Sequence, residues 1–349
     1  MNKKYNLLFI FTDEQAAKTM KAYGNDIIET PNLDRLADES IVFENTYVTQ
    51  PVCTPSRSSL LTGLYPHTNG CIKNNIPLSR ETPCLPELGD FEDYKTAYYG
   101  KWHLGDEIFA QHGFEEWKSI EDMYYKYYSR EEDKNKSSSY SEFLMEQGFR
   151  PEKMNEYGLE GFSRNFCARL PEEYSKPAYL AREANQFLDE NSEEPFMLFV
   201  NFLEPHMPYF GPRDDQYDPE EIPLPENFNH ELTEDAPLKV RIFREAYKKI
   251  GHSGFSLKTE ADWKRLIANY WGLVSQVDTY VGEILDQLKE SGQYDNTIIV
   301  FTSDHGDMMG AHRLLAKCTM FEEAVKVPLL LKIPGLTNRR ISSPVSQID

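Results

Sequence analysis

Val52-Cys53-Thr54-Pro55-Ser56-Arg57-Ser58-Ser59-Leu60-Leu61-Thr62-Gly63 gathers a thiol, a proline, a guanidinium and several hydroxyls and then runs into an apolar, helix-like segment. A proline just ahead of a serine and a helical run marks a helix start. The backbone N–H groups of such a start have no intrahelical partner and favour anions. Cys53 is therefore expected where an anionic group docks, with Arg57 one turn on and facing it. Taken alone, a cysteine two residues before a proline equally fits a half-buried structural thiol.

Working outward, four apolar runs end in polar, charge-bearing residues. Asn6-Leu7-Leu8-Phe9-Ile10-Phe11 reads as a strand buried on both faces and ends in Thr12-Asp13-Glu14-Gln15. Two carboxylates there are hard oxygen donors of the kind Ca²⁺ or Mg²⁺ takes, or Asp13 caps the next segment. Residues 94–99 form a strand running into Gly100-Lys101-Trp102-His103-Leu104-Gly105, where Lys101 and His103 would point the same way on an extended chain. Residues 195–203 deliver Glu204-Pro205-His206-Met207-Pro208, a histidine held between two stiff prolines. Residues 297–302 deliver Ser303-Asp304-His305-Gly306-Asp307, with Lys317 a dozen residues on. Open α/β sheets bind ligands at the carboxyl ends of their strands, so these groups imply one site at the edge of a mostly parallel sheet flanked by helices.

The other elements fit that frame. Helices are expected at 30–37, 177–188 and 261–290, and further strands at 41–48 and 327–331. An insertion is expected at about 106–190, tyrosine-rich at 123–128 and polar at 129–139, its tyrosines packing against the body more than stacking on sugar rings. A long loop is expected at about 207–260. His67, Asn74 and Asn75 line either a pocket or a solvated loop.

Composition narrows the function classes. The 349 residues suit one large α/β domain with insertions. A net charge of −20 repels nucleic acid and anionic membrane, so neither is an expected partner, and any anion site must carry its own cations. Five scattered cysteines argue for reduced thiols over a disulfide framework. The first residues lack the apolar core and cleavage site of a signal peptide, and no apolar run reaches membrane-spanning length, so a cytoplasmic location is expected.

Cys-x-Pro-Ser-Arg followed by Leu-Thr-Gly resembles the signature of the type I sulfatases. So do the complete Gly-Lys-Trp-His-Leu-Gly string and the pattern Ser-Asp-His-Gly…Lys…Thr-Met-Phe-Glu-Glu…Val-Pro-Leu from Asp304 to Pro334. The resemblance covers almost the whole chain. It implies an alkaline-phosphatase-like, three-layer α/β/α sandwich, with residues 1–349 as the catalytic domain and the family's C-terminal subdomain short or missing. It implies that a maturase oxidises Cys53 to formylglycine, whose hydrate attacks sulfur to give a covalent sulfo-enzyme. Asp13, Glu14, Asp304 and His305 would hold Ca²⁺, with Mg²⁺ as the alternative, and residue 53 would complete the shell. Glu14 stands where the family often has Asp, and His305 where many members have Asn. By the same resemblance Arg57 steadies the hydrate and Lys101 and Lys317 neutralise the sulfuryl oxygens. His206 protonates the leaving alcohol, and His103 is the base that lets sulfate depart. The expected substrate is a small sulfate monoester, that of a sugar given the aromatic, polar insertion, with choline and aryl sulfates left open. The rival readings are a formylglycine-dependent phosphonate monoester hydrolase or phosphodiesterase, and an inactive binder of sulfated glycans.

Overall fold

The apolar run that starts at Asn6 becomes a central strand of an eight-stranded sheet in the computed structural model, which describes residues 4–349. In chain order the strands are β1 (Asn6–Asp13), β2 (Ile41–Phe43), β3 (Lys95–Gly100), β4 (Glu116–Ser119), β5 (Phe196–Pro205), β6 (Thr297–Ser303), β7 (Leu329–Lys332) and β8 (Arg339–Ile341). They lie in the order β8-β2-β7-β6-β1-β5-β3-β4. Only β7 runs against the others, so the carboxyl ends of β1, β3, β5 and β6 share one edge.

One face is covered by α1 (Pro31–Asp38), α3 (Lys176–Glu190) and α5 (Glu260–Glu290), and α2 (Cys53–Thr62) lies elsewhere. Leu33 and Leu36, Leu180, Ala184 and Phe187, and Val277, Val281 and Ile284 pack on Leu8, Ile10, Leu198, Val200 and Phe301. These are the helical-period positions of each helix meeting alternate positions of each strand. Helix starts follow from caps: Ser175 accepts the Ala178 N–H, and Thr259 with Asp262 forms a capping box. The opposite face is thinner. There Leu61 of α2 and coil residues Cys71, Leu78 and Trp102 cover Phe11, Tyr98, Met197 and Phe199, while Leu7, Phe9, Ile298 and Val300 stay half-buried.

Four expectations are corrected. The strand expected at 41–48 breaks at Glu44 and Asn45, whose side chains bond to Arg340 and Lys326. Ile41–Phe43 stays in the sheet, and Thr46–Tyr47 pairs instead with Lys326–Val327 and Val345–Ser346. The insertion expected at 106–190 is partly main body. Within it, β4 is an edge strand parallel to β3 and α3 is a layer helix, so the part added outside the sheet and its helical layer is the coil at 106–115 and the stretch at about 120–175. The loop expected at 207–260 contains α4 (Leu238–Ile250), whose Val240 and Tyr247 are buried while Leu238, Ile242 and Ile250 face solvent, a pattern too weak to read. Finally, Lys101 and His103 are not on an extended chain: β3 ends at Gly100, and His103 has φ +57°. Gly100 itself has φ +126°, and a Cβ there would stand 2.0 Å from the Asn201 carbonyl oxygen, so only glycine permits this turn out of the sheet. Among the described residues all five cysteines are unpaired, and no helix is long and apolar enough to cross a membrane.

Candidate active site

Strand register brings the acids together. Thr12 lies beside Ser303, so Asp13 and Glu14 leave β1 next to Asp304 and His305 leaving β6. Glu14 turns out of the strand at φ +73°. Its N–H donates to Asp304 Oδ1 at 3.1 Å, and its carbonyl oxygen accepts the Tyr270 hydroxyl at 2.7 Å. Above them sits the N-terminus of α2, with Cys53 at its first position. All of these side chains are buried, as are Arg57, Lys101, His103 and His206; Lys317 is nearly so.

Arg57 locks the acids in place. Its Nε donates to Asp304 Oδ2 and its Nη2 to Asp13 Oδ2, each at 2.8 Å. Its Nη1 donates to Asn201 Oδ1 and to the Lys101 carbonyl oxygen, each at 2.6 Å. The guanidinium is therefore occupied by the two carboxylates, the β5 strand and the Lys101 turn. Cys53 Sγ lies 3.3 Å from His305 Nε2, 3.8 Å from Asp13 Oδ1 and 3.9 Å from Lys101 Nζ. Burial works against ionising this thiol, but Lys101, Lys317 and His305 hold it well below its ordinary value. Lys317 Nζ donates to Glu14 Oε2 at 2.9 Å and lies 3.8 Å from Asp13 Oδ1. Asp307, which accepts the Met309 and Ala316 N–H groups and the Tyr209 hydroxyl, folds the loop that carries Lys317.

The three histidines differ in state. His305 Nδ1 donates to the Gly306 carbonyl oxygen at 3.0 Å and turns Nε2 to the cluster; burial opposes its charge, but Asp304 lifts it to about 9. His206 Nδ1 donates to the Met207 carbonyl oxygen at 2.7 Å, leaving Nε2 3.5 Å from Glu14 Oε2; burial and Lys317 lower it to about 3. His103 Nε2 lies 2.9 Å from Asn75 Oδ1, and burial with Lys101 nearby lowers it to about 4. The buried Glu107 carboxylate accepts the Trp102 and His103 N–H groups at 3.1 and 2.5 Å and so shapes the Lys101–His103 turn.

These residues fit a hard divalent cation. Ligand atoms of Asp13, Cys53, Asp304 and His305 lie within 4.8 Å of one another, and Asp13, Glu14 and His206 form an adjoining group. Glu14 Oε1 is buried with no hydrogen-bond partner, which a bound cation would satisfy. Burial and the neighbouring acids Asp307 and Asp13 push Glu14 well up, a strain that a cation relieves. A histidine whose Nδ1–H is fixed by a backbone carbonyl presents Nε2 as a ligand.

A cavity of about 960 Å³ adjoins the site on the His206 side, lined by Glu121, Tyr125, Lys153, Asn155, Arg164 and Met207 among others. Arg164 and Lys176 both pair with Glu121, and Arg164 Nη1 lies 3.4 Å from His206 Nδ1.

The structure thus brings together all ten residues singled out from the sequence: Asp13, Glu14, Cys53, Arg57, Lys101, His103, His206, Asp304, His305 and Lys317. Of the loop candidates, Asn75 reaches His103 and Asn74 accepts the Thr54 N–H at 3.0 Å, whereas His67 is exposed and stacks on Tyr65. Asn201, Glu107 and Asp307 went unnoticed. An asparagine inside an apolar run was the available signal for Asn201, whereas nothing local marked Glu107.

The sulfatase family model matches residues 5–349. The chain is 30% identical over 360 residues to an ulvan-active sulfatase of Formosa agariphila, covering 99% of this chain and 60% of that protein. It is 28% identical over 393 residues to an N-acetylglucosamine-6-O-sulfatase of Bacteroides thetaiotaomicron, covering 98% of this chain and 66% of that protein. The chain therefore spans less than two thirds of these relatives' length. Among solved structures, the phosphonate monoester hydrolase SpPMH of Silicibacter pomeroyi superposes with a TM-score of 0.79 at 24% identity, over 99% of this chain and 71% of that one. A protein solved with its substrate D-glucosamine-2-N,6-O-disulfate superposes with a TM-score of 0.72 at 24% identity, over 99% and 75%. These two likenesses establish the alkaline-phosphatase-like fold.

Proposed function

The chain belongs to the sulfatase family, and on that premise we propose that its buried cluster hydrolyses the sulfate monoester of a sugar, with residue 53 as the position that bears the nucleophile. The observation that carries this reading is the setting of Cys53: first residue of a buried helix, within 3.9 Å of Asp13, His305 and Lys101. Formylglycine, made from Cys53 by a maturase, would supply the attacking oxygen there. A divalent cation, Ca²⁺ or Mg²⁺, held by Asp13, Glu14, Asp304 and His305 would supply Lewis-acid polarisation of a sulfuryl oxygen.

The remaining work falls to this chain's own side chains. Lys101 stays protonated, since Asp13 raises it against burial, and with Lys317 it balances charge on the non-bridging sulfuryl oxygens. Arg57 acts through Asp13 and Asp304, holding both carboxylates in position instead of meeting the substrate directly. His103, neutral at pH 7 with one ring nitrogen unpaired, is set to accept a proton next to residue 53. His206 is the donor to the leaving alcohol, on the cavity side of the cluster. Lys317 helps to keep it neutral, so an anionic sulfate ester paired with Lys317 raises His206 towards a donating state.

The relatives named for ulvan and for N-acetylglucosamine support a sugar as the alcohol, and so does a cavity lined by Tyr125, Asn155 and Lys153 that meets the cluster through Arg164, 3.4 Å from His206. The test is a panel of sulfated mono- and disaccharides, an aryl sulfate and a phosphonate monoester, run on protein co-produced with a maturase. Sulfate release from a sugar ester should exceed the other rates; a faster phosphonate rate overturns the sulfatase reading in favour of the phosphonate hydrolase on the same scaffold.

A further inference from the structure

Away from this cluster, Cys84, Glu87 and His112 bring a thiol, a carboxylate and an imidazole together, one ligand atom of each within 4.8 Å of the others. Cys84 and Glu87 bracket the short turn Leu85–Glu87, and His112 lies in the coil leading from His103 to β4. The His112 side chain is only 1% exposed, and neither ring nitrogen makes a hydrogen bond. Its Nδ1 faces Glu87 Oε2 at 3.6 Å, too far for a bond. An imidazole buried with both nitrogens unbonded is costly, and one of its nitrogens lies within 4.8 Å of the other two donors, with Arg80 and the Thr82 backbone as its other polar neighbours.

We infer that Cys84, Glu87 and His112 form a second metal site, built for a borderline-soft divalent cation of the Zn²⁺ class. Thiolate with imidazole suits such an ion and not Ca²⁺ or Mg²⁺, so the site is chemically distinct from the oxygen-rich one at Asp13. Ligand atoms around a tetrahedral zinc stand roughly 3.3–3.8 Å apart, from its bond lengths of about 2.0–2.3 Å. The 3.6 Å between His112 Nδ1 and Glu87 Oε2 already falls in that range, and the 4.8 Å limit for the trio leaves at most about 1.5 Å to close. Supporting bonds orient the ligands: Glu87 Oε2 accepts the Cys84 N–H at 2.9 Å, and the Cys84 carbonyl oxygen accepts the Glu87 N–H at 2.7 Å. The Glu87 side chain is 34% exposed, which provides an entry path and room for a water as fourth ligand. Binding exchanges one thiol proton, released to solvent, for one Zn²⁺–sulfur bond. An ion here would fasten the coil around Cys84, already tied by the Leu78 N–H to the Leu104 carbonyl oxygen at 2.9 Å, to the segment that carries Lys101 and His103.

The test uses the full chain in a Cys53→Ala background, so that any thiolate signal comes from elsewhere. Chelator-treated protein is titrated with Co²⁺ and, separately, Zn²⁺. A near-ultraviolet sulfur-to-cobalt absorption at one equivalent and a rise in melting temperature of several degrees with Zn²⁺ are expected. Glu87→Gln, at a part-exposed position that should still fold, is expected to weaken Zn²⁺ binding at least tenfold. Cys84→Ser should abolish the cobalt band, and Cys71→Ser should leave it intact. Absence of the band in the Cys53→Ala protein, its persistence in Cys84→Ser, or unchanged Zn²⁺ affinity in Glu87→Gln overturns the assignment. None of these readouts involves sulfate hydrolysis, so the inference and the proposed activity stand or fall separately.

Discussion

Tyr124 stacks on His103 with ring centroids 4.1 Å apart and planes 26° from parallel. Its hydroxyl oxygen accepts from Arg164 Nη2 at 3.0 Å, and the other end of the same guanidinium lies 3.4 Å from His206 Nδ1. The two histidines assigned to proton transfer are therefore bridged by residues from the segment that lies outside the sheet. That segment is part of the site, and Tyr124 packs against His103, the residue proposed as the base, instead of forming a separate sugar platform.

Removing the bridge should cost turnover before it costs folding. Tyr124→Ala should lower kcat about 10–100-fold, since small misplacements of a catalytic group have effects of that size, whereas Tyr124→Phe keeps the stacked ring and should lose less than about tenfold. Steady-state kinetics of both variants decide this. Equal rates for Tyr124→Ala and the parent protein would show that His103 does not depend on the stack.

Arg57 is the pin of the cluster, so Arg57→Lys is not conservative. One ammonium cannot reach Asp13, Asp304, Asn201 and the Lys101 carbonyl oxygen together. Breaking such a buried, multiply bonded pair is expected to cost about 3–5 kcal/mol of stability. Denaturant unfolding should show that loss, together with a fall in kcat, and unchanged stability would contradict the assignment.

Glu121 sets an acid limit on stability. Arg164 and Lys176 hold its carboxyl well below the ordinary range in spite of burial. With the folded-state pKa depressed, the stabilisation is present above the unfolded value of about 4.3 and is lost as pH falls below it. Glu121→Gln should therefore destabilise by about 3 kcal/mol or more at pH 7, with a smaller difference from the parent at pH 3. Melting curves across that range test the sign.

Removing divalent cations should abolish turnover, and adding Ca²⁺ or Mg²⁺ back should restore it. Asp304 lifts His305 to about 9 against burial, so a proton on Nε2 competes with the cation. Cation affinity should accordingly rise with pH and level off near 9. Calorimetric titration at several pH values checks this; a pH-independent affinity would remove His305 from the ligand set.

Much of this arrangement was readable from the chain alone because the apolar runs ending at Thr12, Leu203 and Thr302 each hand a charged group to the same sheet edge. Cys53 and Arg57 were readable as a helix start. What escaped was set by contacts distant in sequence. Glu107 shapes the Lys101–His103 turn by accepting two backbone N–H groups, and no local pattern announces that. β4 is a short, polar edge strand paired with β3, so it lacks the apolar run that marked its neighbours. α4 buries a single narrow stripe, too little to distinguish it from a loop. The Lys101 and His103 side chains converge on the cluster through a positive-φ turn and not, as strand alternation suggested, through an extended chain.

The most direct test of the central claim is the intact mass of the protein co-produced with a formylglycine-generating maturase, measured alongside sulfate release from a sugar ester. Residue 53 should show the mass change of thiol to aldehyde, turnover should scale with the converted fraction, and Cys53→Ala should release no sulfate above background. Full turnover from protein whose Cys53 remains an unmodified thiol, or from the alanine variant, would contradict that claim.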